Sequence, residues 1–252
     1  MAKRSVAALC ALIIIIGLFS GCKKFIKKGY MPEPGVVLTF DDCAIENWFT
    51  YLPMLDSAGV KATFYISNYH TLNSEQKRML STIQSHGHEI AFHTANHYNM
   101  KDYVYKEGHT FEQLIRCEVK DELKLMNRDG FYPTTFAYPH GAHNKSLDSI
   151  LTIYFKSVRA LNGTQNFAKS IVPTQNNKLL FGLGLDKSSK RSDEDVMKLL
   201  QSVRDNNGCA VFVAHNINTA NKLSVTLERL KKMINFVKTN GLKYYTVSEI
   251  SN

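Results

Sequence analysis

A chain of 252 residues with 44% apolar content can bury a full core, and α/β barrels of this length commonly form one domain. The formal charge of +9 falls to +7 without Lys3 and Arg4, and part of the rest is the local run Lys23, Lys24, Lys27 and Lys28, so no nucleic-acid partner is implied. Five cysteines without a CxxC pair point to free thiols rather than a disulfide framework or a cysteine metal site.

Lys3 and Arg4 precede an apolar run from Val6 to Phe19 and then Ser20-Gly21-Cys22, the layout of a secretory signal. The run is too short for a comfortable membrane span. Its Ser-Gly-Cys ending resembles the bacterial lipoprotein signal, in which Cys22 becomes the lipidated first residue. Phe19 stands where that signal usually has Leu, so ordinary secretion stays open. Residues 1–21 then read as signal, 22–34 as a basic tether lying near an anionic membrane surface, and 35–252 as one domain in the bacterial cell envelope. Cys10 leaves with the signal, and Cys43, Cys117 and Cys209 are expected as buried free thiols. No obligate protein partner is evident.

Beyond Pro34, strand-length apolar runs alternate with segments of helical period. Strands are expected over Val36–Phe40, Ala62–Ile66, Glu89–Phe92, Thr135–Tyr138, Lys156–Arg159, Leu179–Leu183, Ala210–Ala214 and Lys243–Thr246. Helices are expected over Glu46–Ser57, Ser74–Ser85, Phe111–Asn127, Lys145–Tyr154, Asp193–Arg204 and Val225–Thr239. Such alternation predicts an α/β fold with a mainly parallel sheet.

Asp41, Asp42, His93, His97, His140 and His215 all fall at or just after the C-terminal ends of these strands, the face that carries chemistry in parallel barrels. Adjacent aspartates at a strand end point in different directions, so one can ligate a metal while the other moves a proton. His93 and His97, at i and i+4, are expected to share one face of a helical turn and present two ring nitrogens to one cation.

Two stretches, Val36-Val37-Leu38-Thr39-Phe40-Asp41-Asp42 and Gly87-His88-Glu89-Ile90-Ala91-Phe92-His93-Thr94-Ala95-Asn96-His97, resemble the first two signature motifs of the NodB-type polysaccharide deacetylases. Phe136-Ala137-Tyr138-Pro139-His140-Gly141 is similar to the third and Val211-Phe212-Val213-Ala214-His215 to the fifth. The resemblance implies a distorted, incomplete (β/α) barrel of about seven strands. It also implies that Asp42, His93 and His97 hold a divalent transition metal, with zinc the leading candidate. Asp41 is then the general base, His215 the general acid, and the backbone N–H at His140 an oxyanion donor.

The chain departs from the family in three places. Ala137 stands where the third motif usually has an arginine that pairs with the catalytic carboxylate; Arg159, on the next strand, either reaches in from there or lies on the surface. The fourth motif, an Asp followed shortly by Trp, is not visible; Asp186 is the best available partner for His215 or else a plain loop carboxylate, and Trp48, the one tryptophan, reads as packing. Cys43 replaces the usual glycine after the Asp pair, as a metal ligand or a space-filler. His86, His88, His109 and His143 are expected in structural or exposed roles, with His143 the one nearest a motif worth following.

The sequence therefore points to a metal-dependent hydrolase that removes N- or O-acetyl groups from a glycan. Its rival, suggested by Ala137 and the missing fourth motif, is a metal-containing glycan-binding protein without turnover. A serine esterase is disfavoured because no GxSxG elbow is present.

Overall fold

The computed structural model describes residues 33–163, 166–173 and 176–251. The Cys22 junction and the basic lysine run lie outside them. Strand β1 (Gly35–Asp42) leads through α1 (Ile45–Ser57) to β2 (Ala62–Ile66), and α2 (Ser74–Ser85) leads to β3 (Glu89–Phe92). Next come α3 (Met100–Tyr105), α4 (Phe111–Ile115) and α5 (Asp121–Arg128), then β4 (Thr135–Ala137), α6 (Lys145–Leu151), β5 (Ser157–Leu161), β6 (Ile171–Val172) and β7 (Leu179–Gly184). The chain closes with α7 (Asp193–Asn206), β8 (Cys209–Ala214), the short pair β9 (Asn216–Ile217) and β10 (Ser224–Val225), α8 (Leu227–Thr239), β11 (Lys243–Tyr244) and α9 (Val247–Ile250).

Seven of these strands run parallel in the order β1, β2, β3, β4, β5, β7, β8, and β8 returns to pair with β1 over Gly35–Phe40. The result is a closed (β/α) barrel one unit short of the eight-stranded form. Its distortion is local. β3 and β4 meet through the single register pair Phe92↔Phe136, and β6 runs antiparallel against the first residues of β8.

Because side chains alternate along a strand, each strand feeds two cores. Val36, Leu38, Phe40, Phe64, Phe92, Phe136, Val158 and Phe212 face the helices, whereas Val37, Tyr65, Ala91, Ala137, Leu180 and Val211 fill the lumen. The lumen is not wholly apolar. Half-buried Glu89 accepts from the hydroxyls of Thr63 and Thr135, at 2.8 and 2.7 Å, and from the Ser248 amide at 3.0 Å. Val247 and Ile250 of α9 join the same lumen cluster and close its lower end.

Three local expectations are corrected. The last strand stops at Tyr244, because Thr246 caps α9 in a capping box with Glu249. The helix expected over Phe111–Asn127 is interrupted by a π-helical turn at Arg116–Lys120. That turn frees the Glu118 carbonyl to accept from the Ala95 amide (3.1 Å), while the buried Glu118 carboxylate accepts from the Asn96 amide (3.0 Å). The loop between His93 and His97 is thereby fixed from behind. Lastly, Cys209 is buried but Cys43 and Cys117 are only half-buried; all three are free thiols.

Among the described residues no helix is long and apolar enough to cross a membrane.

Candidate functional site

Asp41, at the end of β1, points into the lumen and is 3% exposed. Burial of an unpaired carboxylate is costly, so a partner is required. Arg159 supplies it. In the β4–β5 register Arg159 lies directly opposite Ala137, and its Nη2 donates to both carboxylate oxygens of Asp41 at 2.5 Å. The fully buried guanidinium also sits 5.1 Å from the centre of the Tyr65 ring. Gly182, opposite Leu161 on β7, leaves room for this arrangement: a Cβ there would collide with Val213 Cγ2 and meet Arg159 Cδ at 3.2 Å.

Asp42 turns the other way. Its φ of 82° is left-handed, which swings the carboxylate to the rim of the barrel rather than into the outer core. There Oδ1 lies 3.1 Å from His97 Nε2 and 3.6 Å from His93 Nε2. Ligand atoms of Asp42, His93 and His97 all fall within 4.8 Å of one another. The two histidines do not share a helical turn as expected. Residues 93–99 form a loop, and left-handed Thr94 (φ 68°) and His97 (φ 57°) fold it so that the rings meet at 4.9 Å. Non-glycine residues held in that region cost energy, and four of them, including His140 at φ 58°, gather here.

His93 is fully buried, and its Nδ1 lies 2.8 Å from the carbonyl oxygen of Ala137. A carbonyl can only accept, so Nδ1 carries the proton and the Nε2 lone pair faces Asp42. Burial lowers the His93 pKa to about 4, and the nearby Asp41 and Asp42 charges offset this only in part. The ring is therefore neutral at ordinary pH. Asp42 is lowered to about 2: burial pushes it up, but the adjoining His97 ring and the charges of His93 and His215 outweigh it. Among the described residues Asp42 Oδ1, buried, accepts no well-aligned hydrogen bond, although it sits among ring nitrogens. A buried carboxylate oxygen without a proton donor, converging with two imidazole nitrogens, fits a tetrahedral-type divalent cation. Among the described residues Cys43 is not part of this cluster.

His215 follows β8. Its Nδ1 is 2.5 Å from Asp186 Oδ2, its amide donates to Asp186 Oδ1 at 3.3 Å, and its Nε2 is 3.9 Å from Asp42 Oδ2. Burial disfavours the charged ring, yet the Asp186 hydrogen bond and the charges of Asp41, Asp42 and Asp186 raise its pKa to about 9. Asp186, 3% exposed, is thus the orienting partner in a loop that matches no motif. Sequence reasoning missed what lies behind His215. The Trp48 indole N–H donates to its carbonyl at 2.6 Å, and Asn47 exchanges two hydrogen bonds with Ile217. Tyr65, the aromatic platform for Arg159, was also missed, although its odd-numbered place in β2 puts it in the lumen with Thr63.

His140 is exposed, with its ring 4.7 Å from that of His97, and its amide donates to no acceptor among the described residues. The other histidines bond elsewhere. His88 accepts from the Ala62 amide, His86 lies against Asp56, His143 against Asp148, and His109 stacks on Tyr103.

The sequence model of the polysaccharide deacetylase family matches residues 28–153, half of the chain. The Bacillus subtilis (strain 168) protein YxkH, named for the polysaccharide deacetylases, is 31% identical over 119 residues, which is 45% of this chain. The match spans 39% of that relative's length. Among solved structures, the Bc1960 peptidoglycan N-acetylglucosamine deacetylase is similar at a TM-score of 0.61 with 19% identity, over 88% of this chain and 91% of that one. A mutant of BA3943, described as a CE4 family pseudoenzyme with restored enzymatic activity, is similar at 0.57 with 17% identity, over 89% of this chain and 70% of that one. At these identities the two structures speak to the fold.

Elemental analysis of the purified protein is expected to find one divalent transition-metal ion per chain, lost in His93→Ala and in His97→Ala while the circular dichroism of the fold persists. Retention of the ion in both variants would refute the cluster as its site.

Proposed function

The chain belongs to the polysaccharide deacetylase family, and from that membership we propose that it is a metal-dependent hydrolase acting on N- or O-acetyl groups of a glycan. The observation that carries the reading is the pairing of Asp41 with Arg159 and of His215 with Asp186 on either side of the Asp42–His93–His97 cluster. Held by those three residues, a divalent ion, zinc foremost, supplies Lewis acidity toward a carbonyl and its attacking water.

The chain's own groups account for the proton movements. Asp41, held by Arg159, takes a proton from water as the water oxygen bonds to the carbonyl carbon. The His140 amide donates to the oxygen on which negative charge develops. His215 Nε2 gives its proton to the leaving nitrogen or oxygen as that bond breaks, releasing a carboxylate and a sugar amine or hydroxyl. Asp186 keeps the imidazole oriented and charged for this step.

The rival, a glycan-binding protein without turnover, rested on Ala137 and the absent fourth motif. Arg159 lying opposite Ala137 and Asp186 lying against His215 supply both missing partners, which favours the enzyme.

We further infer lipidation at Cys22 and a place in the bacterial cell envelope, on the Ser20-Gly21-Cys22 junction and the lysines behind it. Intact-mass measurement on the membrane fraction should give the mass of a diacylglyceryl adduct at Cys22; a soluble, unmodified chain would refute it.

Asp41→Asn should retain the metal and lower acetate release from acetylated glycans by about 10²–10⁴, the usual scale of general acid–base catalysis. Wild-type protein with full metal occupancy that releases no acetate from any such glycan would refute the enzyme.

Because the His215 pKa is raised, its protonated form persists as pH rises, and loss of that proton sets the alkaline limb of activity. Asp186→Asn removes the negative partner, so the alkaline limb of the pH–rate profile should move to lower pH. A limb that stays in place would show that Asp186 does not act through His215.

A further inference from the structure

A partly enclosed cavity of about 310 Å³ opens beside His215, on the side away from β1, with the imidazole as one wall. Its lining is predominantly apolar. Leu161 and Leu223, two of the few large apolar side chains left exposed on the molecule, 38% and 39%, both face it, and Val213 forms its back. Gly182 and Gly184 of β7 also line it. Three of the polar groups around it bond elsewhere. Asp186 is bonded to His215, Ser189 Oγ donates to the Asp186 carbonyl at 2.7 Å, and Arg191 donates to the Asn162 carbonyl while lying 5.5 Å from the Phe167 ring centre.

A scissile acyl group within reach of His215 has two substituents to place. The sugar side is hydroxylated and continues as a polymer, so it needs an open, wettable groove. The acyl side is a chain end with carbon and hydrogen only, and it suits an apolar recess. Ligand pockets begin at roughly 300 Å³, whereas the methyl of an acetyl group occupies about the space of one water, some 30 Å³. The recess beside His215 is therefore far larger than acetyl requires.

We propose that this cavity is an acyl pocket sized for chains longer than acetyl, so that the protein hydrolyses propionyl- to butyryl-length acyl groups on a sugar amine or hydroxyl in preference to acetyl. The assignment rests on the hydrolase reading above and specifies its substrate. Leu161, Val213 and Leu223 set the accepted length by the apolar surface they offer.

The test compares the two acids and the two esters on the metal-replete protein. By calorimetric titration butyrate should bind about 15-fold tighter than acetate, at about fourfold for each of two buried methylenes. p-Nitrophenyl butyrate should likewise exceed p-nitrophenyl acetate in kcat/KM. Leu223→Phe, at a half-exposed position that tolerates bulk, should bring both ratios at least threefold closer to one. Equal or weaker binding of butyrate, or no measurable binding of either acid, overturns the pocket. Acetyl turnover with butyryl refused overturns the pocket and leaves the hydrolase standing. Tighter butyrate binding without hydrolysis of either ester keeps the pocket and overturns the hydrolase.

Discussion

The pair formed by Asp41 and Arg159 inside a closed seven-stranded ring is the constraint around which the upper half of the barrel is arranged. Two desolvated charges seldom add stability over a well-packed apolar pair, but removing one partner leaves the other uncompensated at a cost of roughly 3–5 kcal/mol. Much of the neighbourhood follows from accommodating this pair. Tyr65 offers its ring to the guanidinium, Gly182 gives up its side chain for the arginine stem and Val213, and Ala137 leaves the opposing register position small. Among the described residues Arg159 Nε and Nη1 have no hydrogen-bond acceptor, so the aromatic face and the two carboxylate oxygens are what hold the cation. An arginine moved by one strand still reaches the same carboxylate, because the register pair Ala137↔Arg159 sets the two positions side by side on the lumen face of the sheet.

The same alternation explains how much was legible. The starts of all eight expected strands to within one residue, most helices and every residue of the Asp42–His93–His97 cluster could be read from apolar runs and strand-end positions. Arg159 is legible too from its parity: Val158 and Ala160 face the helices, which leaves Ser157 and Arg159 in the lumen. What could not be read is long-range. The Asp186 contact depends on how the β7 end sits against β8, a pairing of only two register positions, and no local pattern encodes it. The helical turn expected for His93 and His97 failed because the separation of i and i+4 is also met by a loop with two left-handed residues, a conformation that sequence does not signal at Thr or His.

Loop geometry at the rim is supported from outside the ring. Glu118 reaches the 95–96 amides only because the π-helical turn offers its carbonyl and turns its side chain inward. Trp48 and Asn47 of α1 hold the backbone at His215 and Ile217 in the same way. Both supports tie an outer helix to a loop that carries a site imidazole, so strain in the left-handed residues is borne by packed helices rather than by solvent-exposed loops.

Adjacent aspartates end up in unlike environments through one backbone angle. Strand alternation sends Asp41 into the lumen, where an always-charged guanidinium faces it, and would send Asp42 outward to the helices. The left-handed φ at Asp42 cancels the second half of that rule and brings the carboxylate back over the barrel mouth, beside the His93 ring, whose low pKa keeps it available as a lone-pair donor. A right-handed or extended residue at that position would retain the ion pair and lose the cluster. The proposed division between a proton-moving Asp41 and a metal-holding Asp42 therefore depends on the conformation of residue 42 as much as on the two side chains.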